Sequence, residues 1–110
     1  MKGEIKKFEE RKKIEFGDLT YSIYFDTGLL TSGIATVAPN GKGDLDEGHK
    51  DAEEVFTVAK GTLTIIFPDS DLKYELNEGD SLLIPPEESH IVENPTNEEA
   101  ILIFTGAPGL

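Results

Sequence analysis

The chain has no cysteine, no tryptophan and no glutamine. Without cysteine there is no disulfide framework, no thiolate metal site and no cysteine nucleophile, and either redox compartment is tolerated. Basic residues are scarce: 10 Lys and Arg stand against 22 Asp and Glu, a formal charge of −12. A surface of that sign repels phosphate backbones and anionic headgroups, so neither nucleic acid nor a membrane surface is expected as a partner. Long apolar runs are missing as well; none approaches the roughly 18 residues a membrane span needs. The opening MKGEIKKFEERKK carries charge with no apolar core behind it and does not read as a signal peptide. A cytoplasmic protein is the expectation. Only two histidines are present, His49 and His90.

What the chain does have is short, strand-like segments. TYSIYFD (20–26), TSGIATVAP (31–39), EVFTVAKG (54–61), TLTIIFP (62–68), LKYEL (72–76), DSLLIP (80–85), SHIVEN (89–94) and AILIFTG (100–106) are rich in β-branched and aromatic residues. Gly, Pro, Asn and Asp separate them in good turn chemistry, at Asn40-Gly41, Lys60-Gly61 and Pro85-Pro86 among others. Lys60-Gly61 reads as a tight hairpin joining two apolar strands. Helical periodicity is weak everywhere, with FEERKK the one place for a turn of helix. This pattern predicts an all-β sandwich or barrel. A length of 110 residues suits one domain, 1–110, in which residues 1–14 form an edge strand or an arm to a partner. A core of this modest size makes a homodimer a reasonable expectation.

The chemistry-bearing stretch is GKGDLDEGHKDAEEVFTVAKG (41–61). In an extended chain Glu47 and His49 point to one face, and Glu54 shares the phase of Phe56 and Val58. With His90 brought alongside, two imidazoles and one or two carboxylates make a divalent-metal site. Ligation by these groups implies loss of metal on acidification, since protons compete for each donor.

The spacings carry a resemblance. The first block runs Gly41, five residues, Glu47-Gly48-His49, four residues, Glu54, six residues, Gly61. The second runs Gly79, five residues, Pro85, then Glu87, His90 and, after three residues, Asn94. Together they resemble the two-motif signature of the cupin superfamily, Gly-x5-His-x-His-x3–4-Glu-x6-Gly and Gly-x5-Pro-x-Gly-x2-His-x3-Asn. Glu47 stands where the first histidine of His-x-His is usual, and Glu87 where the second motif has glycine, which requires a non-glycine residue to accept that backbone. The resemblance implies a small single-domain cupin, an all-β jelly-roll (double-stranded β-helix) barrel. It implies an inward-facing metal held by Glu47, His49, Glu54 and His90, the ion being Fe, Mn, Ni, Co or Zn. It further implies a small oxygen-bearing substrate and a dioxygenase, decarboxylase or isomerase reaction. The alternative is a non-catalytic cupin that binds a sugar or carboxylic acid with a weakened or absent metal site. Nucleophilic catalysis has little support: no serine stands in a triad-like pattern, and neither histidine is spare to act as a base.

Overall fold

Alternation is what turns these segments into a barrel. In β4 (Glu53–Lys60), Glu54, Phe56 and Val58 are buried while Glu53 and Val55 face outward. β9 (Ala100–Ala107) repeats the pattern, with Ala100, Leu102 and Phe104 inside. A period of two gives each strand one apolar face, and that face can be buried only against another sheet.

The computed structural model describes residues 2–110. The remaining strands are β1 (Lys12–Phe16), β2 (Leu19–Asp26), β3 (Thr31–Val37), β5 (Leu63–Phe67), β6 (Leu72–Leu76), β7 (Ser81–Ile84) and β8 (Ile91–Glu93). Six form an antiparallel sheet in the order β1-β2-β3-β9-β4-β7, and three form a second sheet, β6-β5-β8. The inner faces share one core. Phe56, Val58, Leu102 and Phe104 come from the large sheet, and Leu63, Ile65, Phe67 and Val92 from the small one. Each fully buried Leu, Ile or Phe contributes about 1.5–3 kcal/mol. The strand pattern predicts an all-β sandwich or barrel, and the two sheets form the jelly-roll architecture that the resemblance implies. Among the described residues, no helix is long and apolar enough to cross a membrane.

Two details differ from expectation. Gly61 has the positive φ expected of it, +82°. Yet β4 pairs with β7 and β9 while β5 pairs with β6 and β8, so β4 and β5 do not form a hairpin. Lys60-Gly61 is instead the corner at which the chain leaves one sheet for the other, and Glu54 lies beside Ile84 and Gly106. At the N-terminus, β1 is the edge strand beside β2, and a 3₁₀ turn at Phe8–Glu10 precedes it.

Beyond β8 the small sheet is extended by residues 42–46. Gly43 N–H donates to the Val92 carbonyl, and Asp46 and His90 exchange backbone hydrogen bonds of 2.9 and 2.8 Å. Asn94, buried at the end of β8, ties this edge to the barrel. Its amide donates to the carbonyls of Val37, Ala38 and Glu98, and its Oδ1 accepts from Thr96.

Candidate metal centre

The register of that added segment decides which acid enters the barrel. Lys42 pairs with Glu93, but Asp46 pairs with His90. Four steps along one strand thus match three along the other, so the segment contains a one-residue bulge. A bulge shifts every following side chain to the opposite face. Unbulged pairing would set Leu45 opposite His90 and turn Glu47 inward together with His49. With the bulge, Asp46 lies directly across from His90, and residues directly opposite in an antiparallel pair project to the same side. Leu45 and Glu47 are exposed.

Gly48 then returns His49 to the interior side. Its φ is +88°, and a Cβ there would stand 2.8 Å from the Glu88 carbonyl oxygen. Only glycine meets both conditions without strain. Against it, Glu87 takes φ +65° and donates its N–H to the His49 carbonyl. Glu87 therefore accepts the left-handed backbone that its place in the second motif requires.

Four side chains converge. His90 Nε2 lies 3.5 Å from Asp46 Oδ2 and 3.6 Å from Glu54 Oε1. His49 Nε2 lies 3.9 and 4.0 Å from the same two oxygens. Ligand atoms of Asp46, His49 and Glu54 all fall within 4.8 Å of one another. These separations exceed hydrogen-bond length. They approach the roughly 3.4 Å between donors set tetrahedrally at about 2.1 Å from one ion. Glu54 and His90 form the deep side of the cluster, and Asp46 and His49, each about one-quarter to one-third exposed, form the outer side.

The surroundings prepare the donors. His90 Nδ1 is 3.0 Å from the Glu88 carbonyl oxygen. A carbonyl can only accept, so Nδ1 carries the proton and Nε2 presents its lone pair to the cluster. The Phe56 ring stands edge-on to the imidazole at 5.5 Å. Asp46 Oδ1 accepts the Gly48 N–H, which leaves Oδ2 for the centre. Burial, and after it the nearby Asp46 carboxylate, pushes the Glu54 carboxyl up to about 8. Glu54 Oε1 and His90 Nε2 are both fully buried with no hydrogen-bond partner. Leaving two buried polar atoms unsatisfied is costly, and a divalent cation satisfies both at once. The donor set fits such an ion.

A cavity of about 300 Å³ opens onto the cluster. Tyr21, Ile14, Ile23, Phe104 and Leu110 line it, with Lys12 at the rim. Tyr21 is locked edge-to-face between Phe16 and Phe104. Its phenol is held well above its ordinary pKa, first by burial and then by the charges of Glu54 and Asp46. Leu110 is anchored by its N–H to Thr31 Oγ1 and packs over Gly106, where a Cβ would clash with its side chain.

Of the four acids and imidazoles singled out from the sequence, the structure brings His49, Glu54 and His90 together. It does not bring Glu47, whose place Asp46 takes. Periodicity could not identify Asp46, because the bulge is invisible in the sequence. The one signal was Gly48 between acid and histidine, a residue that breaks an extended phase.

A family model described as "Cupin domain" matches residues 33–106. No curated protein matches the chain at a significant level. Among solved structures, KdgF from Halomonas sp. superposes with a TM-score of 0.80 at 15% identity, over 99% of this chain and 96% of that one. An RmlC-like cupin from Shewanella frigidimarina gives 0.77 at 23% identity, over 97% and 93%. A protein from Thermotoga maritima described as a predicted oxalate decarboxylase gives 0.79 at 12%, over 96% and 99%. At these identities the likeness is one of fold.

Proposed function

The chain belongs to the cupin family, and from that premise we propose that Asp46, His49, Glu54 and His90 hold a divalent metal ion facing a cavity for one small, oxygen-bearing molecule. One observation carries the reading. Glu54 Oε1 and His90 Nε2 are buried, 3.6 Å apart and otherwise unpartnered, an arrangement that protein groups alone leave unsatisfied. When bound, the ion supplies Lewis acidity toward an oxygen of the ligand. Two imidazoles and two carboxylates suit Fe, Mn, Co, Ni or Zn. Two negative charges match a divalent cation, so the loaded centre is close to neutral.

The chain's own groups do the rest. Ile14, Ile23, Phe104 and Leu110 exclude water from the cavity and accept the apolar part of the ligand. Tyr21 keeps its proton across the working pH range and serves as a hydrogen-bond donor into the cavity. Lys12, at the rim, favours a ligand with an anionic end. Decarboxylation, dioxygenation and isomerisation all begin from such a bound oxygen-bearing molecule; a neighbour described as a predicted oxalate decarboxylase shares the fold. Binding without turnover is the second reading. It is favoured by the commitment of both imidazoles and both inward carboxylates to the ion, which leaves Tyr21, Asp26 and Lys12 as the remaining titratable groups that line the cavity among the described residues. The unit acts as one domain, 1–110, in the cytoplasm, and its charge of −12 argues against nucleic acid or anionic lipid as a partner.

Elemental analysis of protein purified without added metal tests the proposal. Stoichiometric divalent metal is expected in the wild type and in Glu47→Ala. It is expected to be lost from Asp46→Ala and His90→Ala, with affinity lowered by more than about 100-fold. Equal metal content in Asp46→Ala and wild type would overturn the assignment.

A further inference from the structure

Three inward positions lie side by side at one end of strands β3, β9 and β4. In register they are Thr31, Gly106 and Glu54. Residues directly opposite in antiparallel strands project to the same side, with Cβ atoms about 4.5–5.5 Å apart. Thr31 and Glu54 are buried, and supply a hydroxyl and one of the carboxylates of the cluster. Gly106, between them, supplies no side chain. The phase of β9 is plain, because Ala100, Leu102 and Phe104 fill the inward places before it. A side chain at 106 would therefore stand directly beside Glu54.

Leu110 takes that place. A Cβ on Gly106 would clash with the Cγ and both Cδ atoms of Leu110, so the isobutyl group sits where a side chain of residue 106 would be. The tail reaches it by turning back after β9. Gly109, at φ +145°, lies against the backbone of Gly28 in the β2–β3 turn. The Leu110 N–H donates to Thr31 Oγ1 at 2.9 Å, and that hydroxyl in turn donates to Asp26 Oδ1 at 3.2 Å. Among the described residues that line the metal cavity, Leu110 alone belongs neither to a strand nor to the segment bearing Asp46 and His49. Sheet pairing holds the strand residues in place; a hydrogen bond from its own backbone holds Leu110.

We infer that Leu110 is the size-determining residue of the ligand site: seated over Gly106 beside Glu54, it sets how long an apolar chain can be on a molecule bound to the ion through an oxygen. Given the metal centre proposed above, on which this rests, the ligand class narrows to short molecules with an oxygen-bearing head and an apolar body. The head meets the ion, and the body lies among Ile14, Ile23, Phe104 and Leu110 in the cavity of about 300 Å³. Each methylene that this wall takes out of water strengthens binding by about fourfold. The gain stops where the chain meets Leu110. A longer chain either pushes the isobutyl group off Gly106 or leaves its last carbons in water, and neither improves affinity.

Straight-chain monocarboxylates from acetate to octanoate, titrated into metal-loaded protein by calorimetry, read this limit. In the wild type, affinity is expected to rise by about fourfold per carbon and then level off. In Leu110→Ala the levelling is expected roughly two carbons or more later, because the outer part of that wall is gone. Thr31→Val removes the anchor and keeps the Leu110 side chain, and is expected to shift the limit in the same direction by less. Elemental analysis of the same samples separates the two readings. Protein without metal overturns the metal centre, and this inference with it. Metal-loaded protein whose affinity is indifferent to chain length, or levels off at the same carbon number in Leu110→Ala, overturns this inference alone. A limit that moves in Leu110→Ala but not in Thr31→Val overturns the role of the anchor.

Discussion

One oxygen atom illustrates how the centre works. Glu54 Oε1 is buried without a partner, and its carboxyl sits near 8 in place of its ordinary 4.5. In metal-free protein the sign follows directly. A pKa raised on folding stabilises the folded state fully below about 4.5, and that contribution is lost as pH rises through about 8. The ion takes only the carboxylate and neutral imidazole, so loading releases protons and strengthens with pH. The drop in melting temperature caused by a chelator is therefore expected to be larger at pH 8 than at pH 6. Melts with and without chelator at the two values check this; an equal or smaller drop at pH 8 would contradict it. Gly48→Ala is expected to destabilise the protein by about 1–3 kcal/mol and to weaken metal retention, because the strained backbone carries His49. Denaturant titration read alongside elemental analysis tests both effects.

At the level of elements, the position of the donors depends on two pairings that bring residues 41–46 against β8. The bulge between Lys42 and Asp46 chooses the acid, and Asn94 pins the end of that strand pair to the barrel. Asn94→Ala leaves several buried carbonyl groups without donors and is expected to cost about 2–3 kcal/mol, measured by denaturant unfolding. Its metal content should remain near that of the wild type, since the donors stand on other residues. The C-terminal segment acts on the cavity in a different way. Gly106→Ala places a methyl group where Leu110 now packs, so the tail is expected to be displaced and the cavity enlarged. Faster proteolysis of the last residues together with an unchanged barrel circular dichroism signal would show it. A tail cut no faster than in the wild type would exclude the displacement.

At the scale of the whole molecule, the proposed ion would couple the stability of the small barrel to metal binding. An ion that binds only the folded chain adds about 2.7 kcal/mol when present at about 100 times its dissociation constant. In a domain of this size that corresponds to a rise of about 10 °C in melting temperature. Removing the ion with a chelator is expected to lower the midpoint by about that amount, and re-adding it should restore the midpoint. A melting curve unmoved by chelator would mean that the folded chain holds no ion.

The line between what was legible in the sequence and what was not falls at residue 46. Strand alternation, turn residues and the spacing of His49, Glu54 and His90 are local facts, and they were enough for a barrel with an inward cluster. Glu54 could be assigned to the interior from Phe56 and Val58 because one unbroken strand holds all three in phase. Glu47 could not be assigned that way. Its face depends on how residues 42–46 register against a strand about 45 residues further on, and one extra residue in that pairing exchanges it for Asp46. The β4–β5 corner has the same origin: Gly61 announces a turn, but only the pairing of distant strands decides whether the turn closes a hairpin or crosses between sheets. Local periodicity determines which side chains can share a face, and non-local pairing decides which face it is.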